Sequence, residues 1–428
     1  MPIEKIVVTD WGQGAMRHAA VVKAGRWVFA TGLRALDESG LIDNGVLKAG
    51  RPLDTPPKAE REARFIFDRL RRGLADAGSS LANVVRVDQY YPDWRSVDPY
   101  HVARREALGK VVAPSTSVLV DGLLNPEAAM DVQVMAFTDE SGLVIAPVSP
   151  EGLAAPGSSG YAPCTKVGDL VFVAGQLARD DSGSIAAEAK VPSDQFWKGT
   201  RIKLETEYLI EKRLRTALEA GGSSLDLILK AQVYLSNPED LPGFLQVWER
   251  SFSGTVPPTT VVPVRHPAFG TKDATIEVNV VAAAADAAER IVDIECDVEL
   301  ISGNIIPARR LDDLVFVSGL MPIDKNGLVA DAQMDPRAPY YRDSARVQML
   351  DVLEKATRIL GAAGCSLSDV VRAIHFSTGL ADFPAIHDQW ARTSGEDALP
   401  LTAVQVNDQM FVPGACVILD LWASHPKN

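Results

Sequence analysis

The chain is poor in the residues that announce metal, redox or nucleic-acid chemistry. Its 428 residues hold only four cysteines and six histidines. The cysteines (Cys164, Cys296, Cys365 and Cys416) lie far apart, with no CxxC or CxxH spacing. They read as reduced packing thiols, and no ligand set for zinc is spelled out. Positive charge is in short supply: the net charge is −13. Extended binding to a phosphate backbone needs a basic patch that releases counterions, and no Lys/Arg cluster supplies one. No apolar run approaches the roughly 18 residues that a membrane span requires. The start, MPIEKIVVTD, shows neither the basic nor the apolar segment of a signal peptide. A phosphate loop, a GxSxG elbow and a dinucleotide fingerprint are all missing. The expectations are a cytoplasmic protein, no cofactor, no metal, no nucleic acid and no membrane.

What is present is an ordinary globular composition, 46% hydrophobic and 23% charged, written three times over. GRWVFATGL, GDLVFVAGQ and DDLVFVSGL each run from a turn through a β-branched and aromatic stretch to a small residue and glycine. Their glycines, Gly32, Gly175 and Gly319, are spaced by 143 and 144 residues. A second triplet is ADAGSSLANVVRVDQYY, EAGGSSLDLILKAQVYL and GAAGCSLSDVVRAIHFS. Each member is a helix end, a glycine suited to the left-handed position beyond it, and an apolar strand. The preceding helix carries a core-facing stripe; in the first copy this is Ala63, Ile66, Phe67, Leu70 and Leu74. Further helices fall near Pro99–Leu108, Pro242–Phe252 and Phe383–Arg392. A third triplet, APSTSVLV, PPTTVVPV and LPLTAVQV, opens the closing strand pair.

Each copy therefore reads β-β-α-β-α-β-β, with domains at 1–140, 141–288 and 289–428. Helices on one face leave the other face of each sheet uncovered. Three open faces in one chain are expected to meet as an intramolecular pseudo-trimer, sheets inside and helices outside. Such a unit is self-contained, as a monomer or as a dimer of pseudo-trimers.

The order of elements, the strand ending in (S/A/T)-G-(Q/L) and the helix–AGxSLxDVV–strand run resemble the Rid family. That family is also called YjgF or endoribonuclease L-PSP, with a chorismate-mutase-like α+β fold. The middle copy, GYAPCTKVGDLVFVAGQLA, carries the resemblance most fully. It implies clefts between copies and hydrolysis of reactive imines and enamines to ketones and ammonia. It also implies an Arg on the penultimate strand that grips the substrate carboxylate; aligned by the motif, Thr116, Thr259 and Thr402 stand there. The water-positioning acid of the last strand aligns with Gln133, Glu277 and Asp420. The cleft tyrosine is Tyr161 in the middle copy, with His18 and Ile305 in the others. A cleft position on the second helix is His101, Leu245 and His387, and His266 follows the penultimate strand on a loop reaching toward a neighbour.

Each residue also has a plainer reading. Glu277 and Asp420 suit surface or buried strand carboxylates, the threonines are good strand formers, and a lone helical histidine is usually solvated. The favoured expectation is a hydrolase on a C–N bond of a small organic metabolite. Glu277 or Asp420 would activate water, assisted by His101 or His387. Tyr161, His18, Gln133, His266 and the threonines would contact substrate. With the arginine missing, 2-imino acids are expected to be poor substrates. The alternatives are a catalytically inactive metabolite- or partner-binding protein and, behind it, an endoribonuclease or a chorismate-type lyase.

Overall fold

The computed structural model describes residues 3–11, 16–48, 54–109, 113–153, 160–194, 200–334, 337, 343–396 and 398–426. Three mixed sheets carry the chain, and all three use one strand order. In the first sheet the sequence of neighbours is Ile3–Trp11, Met16–Ala24, Trp27–Leu33, Asp131–Thr138, Ser79–Tyr91 and Ser115–Leu119. The second runs Ile145–Val148, Cys164–Val167, Leu170–Gln176, Ile276–Ala283, Ile228–Leu235 and Thr259–Pro263. The third runs Ile291–Ile294, Ala308–Leu311, Leu314–Val317, Val417–Ser424, Val370–Ser377 and Leu401–Gln405. Every pairing within these paths is antiparallel except that of the penultimate strand, which lies parallel to its partner after a helical crossover. To the expected pattern the structure adds one edge strand at the head of each copy.

The long helices Lys58–Asp76 and Ser344–Ala362, and the segment 201–220, cover the outer faces. In the first copy Ile66, Phe67, Leu70 and Leu74 pack on Val28, Val87, Val132 and Val134. Period-2 alternation places the intervening strand residues on the opposite faces, and these faces meet one another. Trp27, Phe29 and Phe137 of the first sheet share one buried cluster with Leu170 and Phe172 of the second and Leu314, Phe316 and Trp422 of the third. Sheet burial on both faces explains why Asp131–Thr138, Ile276–Ala283 and Val417–Ser424 are buried at every position.

Above this apolar floor the inner faces turn polar. Arg86, Lys230 and Arg372 occupy matching strand positions, and each reaches into the next copy. Arg86 contacts Asn279, Lys230 contacts Asp420 at 2.6 Å, and Arg372 contacts Asp88 at 3.2 Å. The layer above is aromatic: the Tyr90 and Tyr234 hydroxyls lie 2.9 Å apart, and both rings meet Phe376 edge-on. First touches second, second touches third and third touches first, so the ring of copies is closed by side-chain contacts.

Candidate functional site

The three landmark glycines stand at the boundaries between copies, each facing the penultimate strand of a neighbour. The strand ladder breaks there, between Ala30 and Leu33 in the first copy and between Val173 and Gln176 in the second. Such a break re-aims the chain and frees backbone donors. The Gly32 N–H donates to Thr402 Oγ1 at 2.7 Å. Gly319 N–H donates to the Thr259 carbonyl at 3.1 Å. An added methyl on Gly175 would touch Thr116 Cγ2 at 3.3 Å. Gly32 has φ +61°, and a Cβ there would lie 2.7 Å from the Leu401 carbonyl oxygen and 2.9 Å from His18 Nε2. Only glycine fits this crossing.

Sheet register corrects two alignments made from sequence. On the penultimate strands, Thr116 pairs with Asp88, Thr260 with Gln232 and Thr402 with Ile374. The matching threonine of the middle copy is therefore Thr260, not Thr259. Thr259 faces the helical side, where its hydroxyl accepts from Trp248 Nε1 at 3.1 Å and donates to the Pro257 carbonyl at 2.8 Å. On the last strands, Tyr90 pairs with Asp131, Tyr234 with Glu277 and Phe376 with Ile418. The acid position is thus Asp131, Glu277 and Ile418. Gln133 and Asp420 sit two residues further along, level with Asn279, inside the axial polar layer.

This slip changes what each residue can do. Asp420 is fully buried; Lys230 Nζ lies 2.6 Å from Oδ2, Thr260 Oγ1 donates to that oxygen at 2.6 Å and Arg372 donates to Oδ1 at 3.0 Å. Burial pushes its carboxyl upward, but Lys230 and Arg372 outweigh that and hold it below the usual range. It is a locked counter-ion and has no free edge for water. Gln133 is buried beside Asp88, and among the described residues its amide has no hydrogen-bond partner.

Asp131 and Glu277 behave oppositely. Asp131 accepts from Thr402 Oγ1 at 3.2 Å, and Arg34 Nε stands 3.4 Å away as an ionic contact without hydrogen-bond alignment. Burial raises its pKa to about 7, against the pull of Arg34 and Thr402. Glu277 presses its carboxylate on the backbone of Gly175, a position only glycine leaves open. Burial raises it to about 8, opposed by Arg179 and reinforced by Asp88. Carboxyls poised near neutral pH in a boundary between copies can both give and take a proton.

The remaining candidates divide. His18, Tyr161 and Ile305 do occupy matching positions, each three residues before Val21, Cys164 and Ala308, which pair equivalently with Ala30, Val173 and Val317. His18 is buried between Thr9 and Thr31, 3.4 and 3.5 Å from their hydroxyls. Burial first, then Arg34 and His387, hold its pKa well below the ordinary value, so it is neutral. The Tyr161 hydroxyl accepts from Arg179 at 2.9 Å. His387 lies at the first boundary, its Nε2 3.1 Å from the Arg17 carbonyl, and burial lowers its pKa. His101 packs against Tyr100 on its own helix and burial drops it to about 3. His266 is exposed, on a loop that reaches the first copy, where the Leu119 N–H donates to the Ala268 carbonyl at 2.9 Å.

Sequence reasoning missed Asp131 and all of the cleft arginines. Arg34, Arg179 and Arg213 bring guanidinium groups to the boundaries from within the same copy, so loss of the strand arginine does not leave these sites without cations. Helical position 69 is matched by 213 and 355, giving Arg69, Arg213 and Lys355. Arg69 and Arg34 line a cavity of about 660 Å³ together with His18 and Gly32. Among the described residues no group of three His, Cys, Asp or Glu could hold a metal, and no helix is long and apolar enough to cross a membrane.

The 3-aminoacrylate deaminase RutC of Acinetobacter baylyi is 35% identical over 101 residues, 24% of this chain and 72% of that protein. A RutC family protein of Saccharolobus solfataricus is 32% identical over 123 residues, 28% of this chain and 85% of its own. Among solved structures, yeast Mmf1 has 24% identity and a TM-score of 0.26, covering 33% of this chain and 99% of that one. A chorismatase has 13% identity and a TM-score of 0.48, covering 80% and 93%. The family described as Endoribonuclease L-PSP matches residues 153–284 and 303–417, well over half of the sequence. With copies, strand order and boundary glycines in agreement, the chain belongs to the endoribonuclease L-PSP (Rid) family.

Proposed function

We propose that the protein is a hydrolase that cleaves the C–N bond of a small imine or enamine, using the boundaries that hold Glu277 and Asp131. The observation that carries this reading is the Glu277 carboxyl, buried against Gly175 with a pKa raised to about 8. Near neutrality it populates both forms. As the carboxylate it takes a proton from water while the water oxygen adds to the imine carbon and the C=N π pair moves to nitrogen. The acid returns that proton to nitrogen to give a carbinolamine. The carboxylate then takes the hydroxyl proton and passes it to nitrogen as C=O forms and the C–N bond breaks, so that a ketone and ammonia leave. One water is consumed and the carboxyl is regenerated. Asp131, at about 7, is placed for the same exchange. The deaminase named among the relatives supports this chemistry at the level of the family.

The third boundary lacks it, since Ile418 replaces the acid and Ile305 the tyrosine. Two working clefts and one silent one follow, a division that fusion permits and three identical subunits do not. The decisive measurement is ammonia release from small imines generated in situ. Glu277→Gln keeps the side-chain shape but cannot exchange a proton. Loss of a general base costs a factor of ~10²–10⁴ at that site. Full turnover in the double variant Glu277→Gln/Asp131→Asn, with the fold intact by circular dichroism, overturns the proposal.

A further inference from the structure

Beyond the acid, the second boundary contains two cations that nothing in the proposed hydrolysis uses. Arg213 is 4% exposed, yet its acceptors are neutral: Gln176 Oε1 at 3.2 Å and the Gly152 carbonyl at 3.4 Å. Arg179, half-buried, donates to the Tyr161 hydroxyl at 2.9 Å. Among the described residues neither guanidinium forms an ion pair. Arg213 meets Gln176, three residues before Arg179, so both guanidiniums lie at this strand end, and burial first, then the field of Arg179, lowers the pKa of Arg213. The carboxylate whose field reaches Arg213 is Asp181, which is exposed.

The matching cations of the other copies are provided for. Lys355 donates to the Met321 and Ile323 carbonyls at 2.9 and 2.6 Å and pairs with Asp351 at 2.7 Å. Arg69 lies 4.7 Å from the Phe65 ring centre, with Asp43, Asp37 and Glu38 around it. The helix geometry is also singular. Lys58–Asp76 and Ser344–Ala362 are regular α-helices, but Leu209–Leu214 in the middle copy is a π-turn that contains Arg213. A π-turn weakens the helix ladder and is typically retained where it aims a functional side chain. Here it aims a desolvated cation at Gln176, the residue after Gly175. Two nearby guanidiniums whose neighbouring carboxyl, Glu277, is raised to about 8 by burial and so is mostly protonated at neutral pH are unfavourable until an anion fills the site.

We propose that Arg179 and Arg213 form a two-guanidinium site in the second cleft that binds a compact dianionic group, a small dicarboxylate, as the recognised end of the substrate. The word substrate rests on the hydrolase reading; the binding site itself does not. Two forks in one cleft match two carboxylates, whereas a monoanion leaves one cation uncompensated.

The test is calorimetric titration of the full chain with malonate, acetate and inorganic phosphate at constant ionic strength. Malonate is expected to bind at least ~10-fold more tightly than acetate, and Arg179→Gln and Arg213→Gln each to weaken it by ~10-fold or more, the loss of about one charge-assisted bond. Arg215→Gln, half-buried on the same helical segment and paired with Glu211, should leave binding unchanged. Should Arg213→Gln fail to fold, Arg213→Lys and Arg179→Gln carry the test. Phosphate binding more tightly than malonate would replace the dicarboxylate with a phosphoryl group and overturn the assignment. Malonate affinity equal to that of acetate, or unchanged in Arg179→Gln and in whichever Arg213 variant folds, would remove the site altogether. Neither outcome depends on turnover, so it is separable from failure of the Glu277 measurement.

Discussion

Glu277 and Gly175 are joined across the second copy so closely that the carboxylate occupies the space a Cβ would take. The acid is held by the absence of a side chain opposite it. Gly175→Ala should displace the carboxylate and crowd Thr116, at a cost of ~1–3 kcal/mol for overpacking. Turnover at this boundary should fall even where the protein stays folded. Thermal unfolding and ammonia release, measured on one preparation, separate the two effects.

A dependence on pH follows from the raised carboxyls. Asp131 and Glu277, at about 7 and about 8, hold protons in the folded chain that the unfolded chain has released above ~4. The folded state therefore binds more protons between pH ~4 and 8, and its stability falls as pH rises through that window. Below ~4 both states are protonated and this contribution is fully present. Denaturant titrations from pH 5 to 8.5 should show the decline, and Glu277→Gln/Asp131→Asn should flatten it. A slope unchanged by the double variant would contradict the buried protons.

Asp420→Asn addresses the axial layer. It leaves Lys230 and Arg372 facing a neutral amide in a fully buried position, and removal of one partner from such a network costs ~3–5 kcal/mol. The expected result is a large loss of stability with kcat per folded molecule little changed. A loss of kcat at unaltered stability would return Asp420 to the role expected from sequence alone.

Closure of the ring predicts the solution species. With the inner faces of all three sheets buried in one cluster, sedimentation should give a compact particle of 46.0 kDa or a discrete multiple of it. A frictional ratio typical of three separate beads would exclude the closed arrangement.

Much of this architecture was legible in the sequence because its signals are local. Gly32, Gly175 and Gly319 each end a β-branched run, and Gly78, Gly222 and Gly364 each follow an amphipathic helix, so the repeat appears without any contact being known. Equivalence of His18, Tyr161 and Ile305 was also readable, anchored a fixed distance before those glycines. The register of the last strand was not. In IEVNVV and LDLWAS a slip of two residues keeps every apolar side chain on the same face, so pattern cannot detect it. Only pairing with Tyr90, Tyr234 and Phe376 decided that Asp131, not Gln133, matches Glu277. The neighbouring threonines Thr259 and Thr260 present the same ambiguity by one residue, and Trp248 settles it by claiming Thr259. The arginines were invisible for another reason. Arg213 on a helix carries no motif and looks like part of a solvated face; its burial depends on a π-turn and on a strand end 37 positions earlier in the chain. Composition and periodicity determine which elements form and which faces are apolar, because those choices are made residue by residue. Which charges meet, and which are left unpaired, is decided only when three sheets close on one another.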